Sequence, residues 1–455
     1  MNYVPPGLRD SRVQREAVGP LSHPMPADQR ENLAEKDLLF MKCDPRTRHH
    51  ALARLEDYEP HIGGERLKRL RIKAERLLGA RVAHVNSTFY GGGVAELLSS
   101  LTLLMSDAGL VTEWRAILGR SDYFSITKKM HNALQGAEIN LTELKMEIYE
   151  QVAYENSVRN SLDHDFVVIH DPQPLPLIMH YKKHGPWIWR CHLELSNPNR
   201  KLWDYLSLFI ERYDAVVLSL PEYHQQLKTP QLFFPPTIDP FTTKNKELSE
   251  EEIEERLAHY KIPTDQPLVV QISRFDRWKD PEGVIQAFKL ARREVDCTLV
   301  LLGDIATDDP EGEEVYRSLL NAREERLIIL SAQDSALVNA LQRRAAVVLQ
   351  KSIREGFGLT VTEAMWKGAP VIGGNVGGIR HQIEDEVNGF LVSSIEQAAA
   401  RIVQLLKDKS LRRRVGAAAH ETVRQKFLLP HSLEHYLDLF SSFKTIYRLE
   451  RESRS

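Results

Sequence analysis

Short, mainly apolar runs recur along this chain from about residue 81 to residue 374, each followed by a turn and then a helix-sized interval. In the first half these are RVAHVNST (81–88), TEWRAIL (112–118), DFVVIHD (165–171), PWIWRCHLE (186–194) and AVVLSL (215–220). In the second half they are LVVQISRF (268–275), CTLVLLGD (297–304), RLIILSA (326–332), AAVVLQK (345–351) and APVIGG (369–374). Runs that do not alternate with polar residues belong to strands covered on both faces, and strands alternating with helices form parallel sheets. The pattern therefore predicts an α/β protein of two doubly wound, Rossmann-like domains, with ligand sites outside the carboxyl ends of the strands and facing across a cleft.

Other segments punctuate this grammar. GERLKRLRIKAERLL (64–78) has a helical period, and VAELLSSLTLLMSDAG (94–109) reads as an apolar helix after the first strand. QLFFPPTIDPFTTKN (231–245), with three prolines, reads as the linker between halves. From about Leu428 the chain is helical, aromatic-rich and amphipathic. Residues 1 to about 50 are rich in proline, arginine and polar residues, and are expected to form a partly disordered extension.

Composition narrows the class. A chain of 455 residues is too long for one ordinary core and suits two domains, and 42% hydrophobic with 27% charged residues is a globular balance. The net charge of −3 offers no basic excess for nucleic acid or an anionic membrane. Cys43, Cys191 and Cys297 lie far apart and form no Cys-x-x-Cys pair, which suits a reducing compartment. No apolar start resembles a secretory signal and no window reaches the length of a membrane span, so the expected location is the cytoplasm.

The sharpest chemical signal is REGFGLTVTEAM (354–365), which follows the run AAVVLQK. Glu355 sits in a loop with Gly356, Phe357, Gly358 and Leu359, where backbone can approach a ligand and free N–H groups at a helix start suit a diphosphate. Glu363, one to two turns into the helix, is placed to reach a ribose. SRFDRWKD (273–280) offers Arg274 and Lys279 at a strand end, two cations able to stabilise a departing nucleoside diphosphate without a metal. Gly91, Gly92 and Gly93 open the first strand–helix junction, where backbone N–H groups can face a phosphate or sugar. HDPQ (170–173) and WRCH (189–192) bring His170, Asp171, Gln173, Arg190 and His192 to strand ends, with Asp171 placed to orient an acceptor hydroxyl. Asp163-His164-Asp165 has the letters of a metal site but precedes its strand, and Asp308-Asp309-Pro310 reads as a turn. Zinc spacing and a Gly-x-Ser-x-Gly elbow are absent from the sequence, and no metal is expected.

REGFGLTVTEAMWKGAPVIG, SRFDRWKD and NSTFYGGGVAELL together resemble retaining glycosyltransferases of the large family 4, which have the GT-B fold. HDPQPLPLIMH, WIWRCHLELSNPN and HNALQG narrow this to a resemblance to trehalose glycosyltransferring synthases and the related retaining trehalose phosphorylases, over roughly residues 55 to 445. The resemblance implies an acceptor domain over 54–240, completed by the helix 428–455, and a donor domain over 241–427, leaving 1–53 outside the core pattern. It assigns donor contacts to Gly91–Gly93, Arg274, Lys279, Glu355 to Leu359 and Glu363. It assigns acceptor contacts to His170, Asp171, Gln173, Arg190 and His192. Asp171, His192, Arg274, Lys279 and Glu355 are the expected catalytic set. Where relatives commonly read Arg-Cys-His-Ile-Asp this chain has Arg190-Cys191-His192-Leu193-Glu194, so no acceptor role carries over to Glu194. The implied chemistry is transfer of glucose, with retention, from a UDP-, ADP- or GDP-glucose donor to glucose, with no cofactor required. The alternatives are a phosphorylase, another family 4 sugar transferase, a nucleotide-sugar epimerase or a silent sugar-binding regulator. Expected partners are small sugars and the nucleotide-sugar, with helix 64–78 and the C-terminal helix as a candidate homodimer face.

Overall fold

The computed structural model describes residues 53–90, 92–303, 310–322 and 324–452. The N-terminal extension, Gly91, Asp308 and Asp309 lie outside the described residues. Two six-stranded parallel sheets carry the fold. The first contains β1 (Arg81–Asn86), β2 (Val111–Ala116), β3 (Phe166–His170), β4 (Trp187–Arg190), β5 (Ala215–Leu218) and β6 (Gln231–Phe233), in the order β2-β1-β3-β4-β5-β6. The second contains β7 (Leu268–Ile272), β8 (Thr298–Gly303), β9 (Leu327–Ser331), β10 (Ala345–Gln350), β11 (Val371–Gly374) and β12 (Phe390–Val392), in the order β12-β11-β10-β7-β8-β9.

Burial follows position in the sheet. The central strands β3, β7 and β8 are buried at every residue, as non-alternating apolar runs require, whereas the edge strands β2 and β9 are half-exposed. Two strands escaped the sequence pattern. β6 falls in the stretch read as linker, where three residues pair in parallel with β5 before Pro235 and Pro236 end the strand. β12 is equally short. A three-residue strand carries too few side chains to show a period and exists because a neighbour supplies its hydrogen bonds.

Helices cover both faces of the sheets. Helix Glu250–His259 starts at a capping box in which Ser249 and Glu252 satisfy each other's backbone N–H groups. The last helix, Leu429–Glu452, returns to the first sheet. Leu433, Tyr436, Leu437 and Phe440 join Leu70, Met105 and Phe166 in one apolar cluster. Helix Gly64–Glu75 packs against this helix, with Arg66 and Lys73 on Glu434 at 2.6 and 2.9 Å, so the two segments expected to form a dimer face lie against each other. Where the chain leaves the first sheet and where it returns, it is tied to itself. Ile238 N donates to Phe427 O at 2.8 Å, and Leu429 N donates to Ile238 O at 2.9 Å. A further apolar cluster joins residues from both halves of the chain, among them Trp189, Tyr223, Val270 and Phe357. Among the described residues no helix is long and apolar enough to cross a membrane.

Candidate active site

Each strand order reverses direction once, and that reversal opens a crevice at the carboxyl edge. In the second sheet the reversal falls between β7 and β10, whose following loops carry Arg274–Lys279 and Lys351–Gly358. In the first sheet it falls between β1 and β3, followed by the loops of Gly92–Gly93 and His170–Asp171.

The two loops of the second sheet are stitched together. Lys279 Nζ lies 2.5 Å from Glu355 Oε2, with the two side chains only 18% and 9% exposed. Ser352 Oγ donates to the same oxygen at 3.2 Å. Gln271 Nε2, from within β7, holds Lys279 O at 2.8 Å. Asp280, at φ 50°, caps helix Pro281–Ala291 by accepting from Gly283 N, and its carboxylate also takes the Lys351 ammonium. Trp278 O accepts from Ile353 N at 2.7 Å, and the Arg354 guanidinium lies over the Trp278 ring, 4.7 Å from its centroid. Gly377, at φ 42°, lets the Glu355 carbonyl pass where an added Cβ would stand 1.8 Å from that oxygen. Gln382 Nε2 donates to Phe357 O at 2.5 Å and is itself held by Thr362 at 2.6 Å. Gly358, at φ 86°, turns the loop into helix Leu359–Trp366.

This loop meets the first sheet directly. Tyr223 OH donates to Gly356 O at 2.5 Å. Arg354 Nη1 donates to Gln135 O, in the HNALQG segment. A Cβ on Gly356 would lie 3.6 Å from Glu194 N and 3.7 Å from His192 O, and one on Gly93 would lie 2.9 Å from Leu359 Cδ1. Glutamate loop, glycine loop and His192 backbone are therefore near neighbours. A cavity of about 170 Å³ opens here, with Glu194, Tyr223, Arg354, Glu355, Gly377 and Arg380 in its wall. Glu222 and His381, both in its wall, pair at 2.7 Å.

In the first sheet, Asp171 has φ 61° and accepts from His192 N at 2.8 Å. Burial pushes its carboxyl up to about 6 against that hydrogen bond and the Arg190 charge. His170 Nδ1 stands 2.9 Å from His192 Nε2, and His84 Nδ1 stands 3.0 Å from His170 Nε2. Burial, with the Arg190 charge beside them, holds both His170 and His192 well below the usual imidazole range. Gln173 accepts from Tyr123 OH through its backbone, and its Oε1 is buried without a partner among the described residues.

Of the expected residues that are described, only Glu355 lines this cavity, and Arg190, Arg274 and Glu363 are engaged elsewhere. Arg190 is 2% exposed and gives Nη2 to Phe234 O at 2.7 Å, so its guanidinium is turned into the sheet. Arg274 is half-exposed, 3.7 Å from Asp276, and its charge adds to burial and Lys128 in lowering His131 to about 4. Glu363 is buried 3.6 Å from Lys244, which also binds Glu96 at 2.6 Å. Burial raises the Glu363 carboxyl against the lysine charges. The sequence reading did not single out Tyr223, Ser352, Gly377, Gln382, Lys244 or His84. Gly377-Gly378, just after APVIGG, is the one signal that points there; the others are ordinary residues until the chain folds. Asp165 Oδ2 accepts from Arg81 N at 2.8 Å, and among the described residues no group of three or more His, Cys, Asp or Glu could hold a metal.

Residues 84–225 match the family "Trehalose synthase, N-terminal domain", and residues 252–422 match "Glycosyl transferases group 1". The chain is 44% identical over 399 residues to the trehalose synthase of Pyrococcus horikoshii, covering 86% of this chain and 96% of that one. It is 42% identical over 410 residues to that of Rubrobacter xylanophilus, covering 86% and 97%. Trehalose phosphorylase of Pleurotus pulmonarius is more distant, at 25% over 435 residues, covering 82% of this chain and 59% of that one. The sucrose-phosphate synthase structure from Thermosynechococcus elongatus superposes with a TM-score of 0.62 at 18% identity, covering 80% of this chain and all of the other, which is agreement of fold. The two facing parallel sheets are those of a GT-B glycosyltransferase, and the chain belongs to the trehalose synthase family.

Proposed function

We propose that this protein transfers glucose from a nucleoside diphosphate glucose to glucose, with retention, giving α,α-trehalose and the nucleoside diphosphate. The observation that carries this reading is the Lys279–Glu355 pair beside a cavity that Glu355 lines together with Glu194 and Tyr223. The donor domain is taken as 241–427, and the acceptor domain as 54–240 with the C-terminal helix.

Lys279 and Arg274 are assigned to the diphosphate. As the bond from the sugar C1 to the diphosphate oxygen breaks, charge grows on that oxygen, and fixed cations in a partly dry site stabilise it. Glu355 is assigned to donor-sugar hydroxyls, Glu363 to the ribose after release from Lys244, and the Gly92–Gly93 and Gly356–Gly358 backbones to close approach of the donor. Asp171, Gln173 and His192 are assigned to sugar hydroxyls on the first-sheet side. The acceptor hydroxyl forms the new bond to C1 on the face the diphosphate leaves, and its proton passes to a diphosphate oxygen. The protein's part is positioning and charge stabilisation, with water kept out as the halves close.

Glu355→Ala tests the reading. Transfer from nucleotide-glucose donors to glucose is expected to be abolished while the circular dichroism spectrum is retained; a folded variant with near-normal transfer overturns the role. The distant phosphorylases favour one second reading, in which the same cations hold inorganic phosphate. Incubation with trehalose and phosphate distinguishes them, because only the phosphorylase yields glucose 1-phosphate. A donor screen with glucose as acceptor identifies the nucleobase.

A further inference from the structure

His84, on β1, belongs to no expected site, yet it heads a file of three rings. His84 Nδ1 meets His170 Nε2 at 3.0 Å, and His170 Nδ1 meets His192 Nε2 at 2.9 Å. His84 is fully buried and His170 1% exposed, whereas His192, at the other end, is partly exposed. Burial holds His84 down to about 3, and with the low values of its two neighbours the whole file is neutral.

A neutral imidazole has one N–H and one lone pair, so two hydrogen bonds in series have only two arrangements. Either every ring carries its proton on Nδ1, or every ring carries it on Nε2. The buried end decides between them. His84 Nε2 is buried with no hydrogen-bond partner among the described residues, and the ring lies edge-on to Tyr436 at 5.6 Å. An unpartnered lone pair is tolerated in a protein interior more readily than an unpartnered N–H. The file therefore runs with each Nδ1–H donating to the next Nε2.

We propose that His84 acts through His170 as a positioning residue that fixes His192 in its Nδ1–H form, making His192 an obligate hydrogen-bond donor to substrate and denying it the role of general base. The Nε2 lone pair of His192 is consumed by His170, and only Nδ1–H is left to meet a sugar oxygen. This rests on the proposed assignment of His192 to a sugar hydroxyl, while the tautomer itself does not.

The test uses the full-length protein labelled with ¹⁵N-histidine. Ring nitrogen shifts and two-bond couplings report the tautomer of each ring, with His192 assigned by its loss in His192→Gln. The expected spectrum shows Nδ1–H at His192; an Nε2–H spectrum in the wild type overturns the proposal without any variant. In His84→Leu the two tautomers of His192 are expected to mix, and kcat to fall by about tenfold, less than the loss of a whole electrostatic donor, with donor KM little changed. His84→Asn, whose amide places a donor where Nδ1 stood, is expected to restore both. An unchanged His192 tautomer in a folded His84→Leu, or equal loss in the Asn and Leu variants, overturns it. Full transfer by His192→Gln would instead remove the sugar-contact role and leave the tautomer result standing.

Discussion

The hydroxyl of Tyr223, in the turn after β5, donates to the carbonyl oxygen of Gly356, in the loop after β10, at 2.5 Å. It is one side chain bonding across the two halves to the loop that presents Glu355. Removing the hydroxyl keeps the buried ring and deletes the tie. Tyr223→Phe is expected to lower kcat/KM by about fivefold, the worth of one net hydrogen bond. Steady-state kinetics with donor varied at saturating glucose checks this, with Tm measured alongside to show that the fold is intact.

Lys279 shares Glu355 Oε2 with Ser352, so its ammonium is already positioned before any ligand arrives. Preorganised cations cost little reorganisation when charge develops. Lys279→Ala is expected to reduce kcat by about 10²- to 10³-fold. Lys279→Arg is not expected to recover it, because a planar fork cannot replace a point charge on one oxygen. Initial rates of nucleoside diphosphate release measure both variants.

Burial holds Asp171 up to about 6. Below that pH the carboxyl is protonated and accepts poorly from an acceptor hydroxyl, so kcat/KM is expected to fall as pH drops through about 6, and the wild-type profile should show that limb. Stability moves the opposite way. Between the ordinary aspartate value and about 6 the folded chain keeps a proton that the unfolded chain has released, so stability falls as pH rises across that window. Asp171→Asn still accepts from His192 N and removes the charged form. Its Tm relative to wild type is therefore expected to rise between pH 4 and pH 7, while its activity is low and lacks the acid limb.

Glu434 anchors the returning helix to helix Gly64–Glu75. Burial works to raise its carboxyl, and hydrogen bonds from Lys73 and Arg66 overcome this, holding it down to about 2. A depressed carboxylate contributes stability that is present above its unfolded value and lost as pH falls toward 2. Glu434→Gln is expected to cost about 1 kcal/mol at pH 7, after allowance for solvent screening of a half-buried network. The difference should shrink below pH 4. Urea titrations at the two pH values read it directly.

The amino-acid pattern alone was enough to give the class of the fold and to single out the loops proposed to carry its chemistry. Short, mainly apolar runs such as FVVIH and LVVQI that do not alternate suit strands covered on both faces, and their helix-sized spacing suits parallel crossovers. Glycines beside Glu355 and cations after β7 single out the loops proposed to hold the donor, because those residue types have no packing reason to gather at strand ends. The tertiary structure decided what a local pattern cannot encode. β6 and β12 are strands only because a neighbour pairs with them, and the last helix belongs to the first sheet only because its apolar face finds Leu70 and Phe166. Arg190 and Glu194 exchanged prominence for the same reason. Along the chain they are four residues apart, but one guanidinium is turned into the sheet toward Phe234 and the other residue lines the cavity beside Glu355. The His84–His170–His192 file joins β1, β3 and the loop after β4, a contact that exists only once strands far apart in sequence lie side by side.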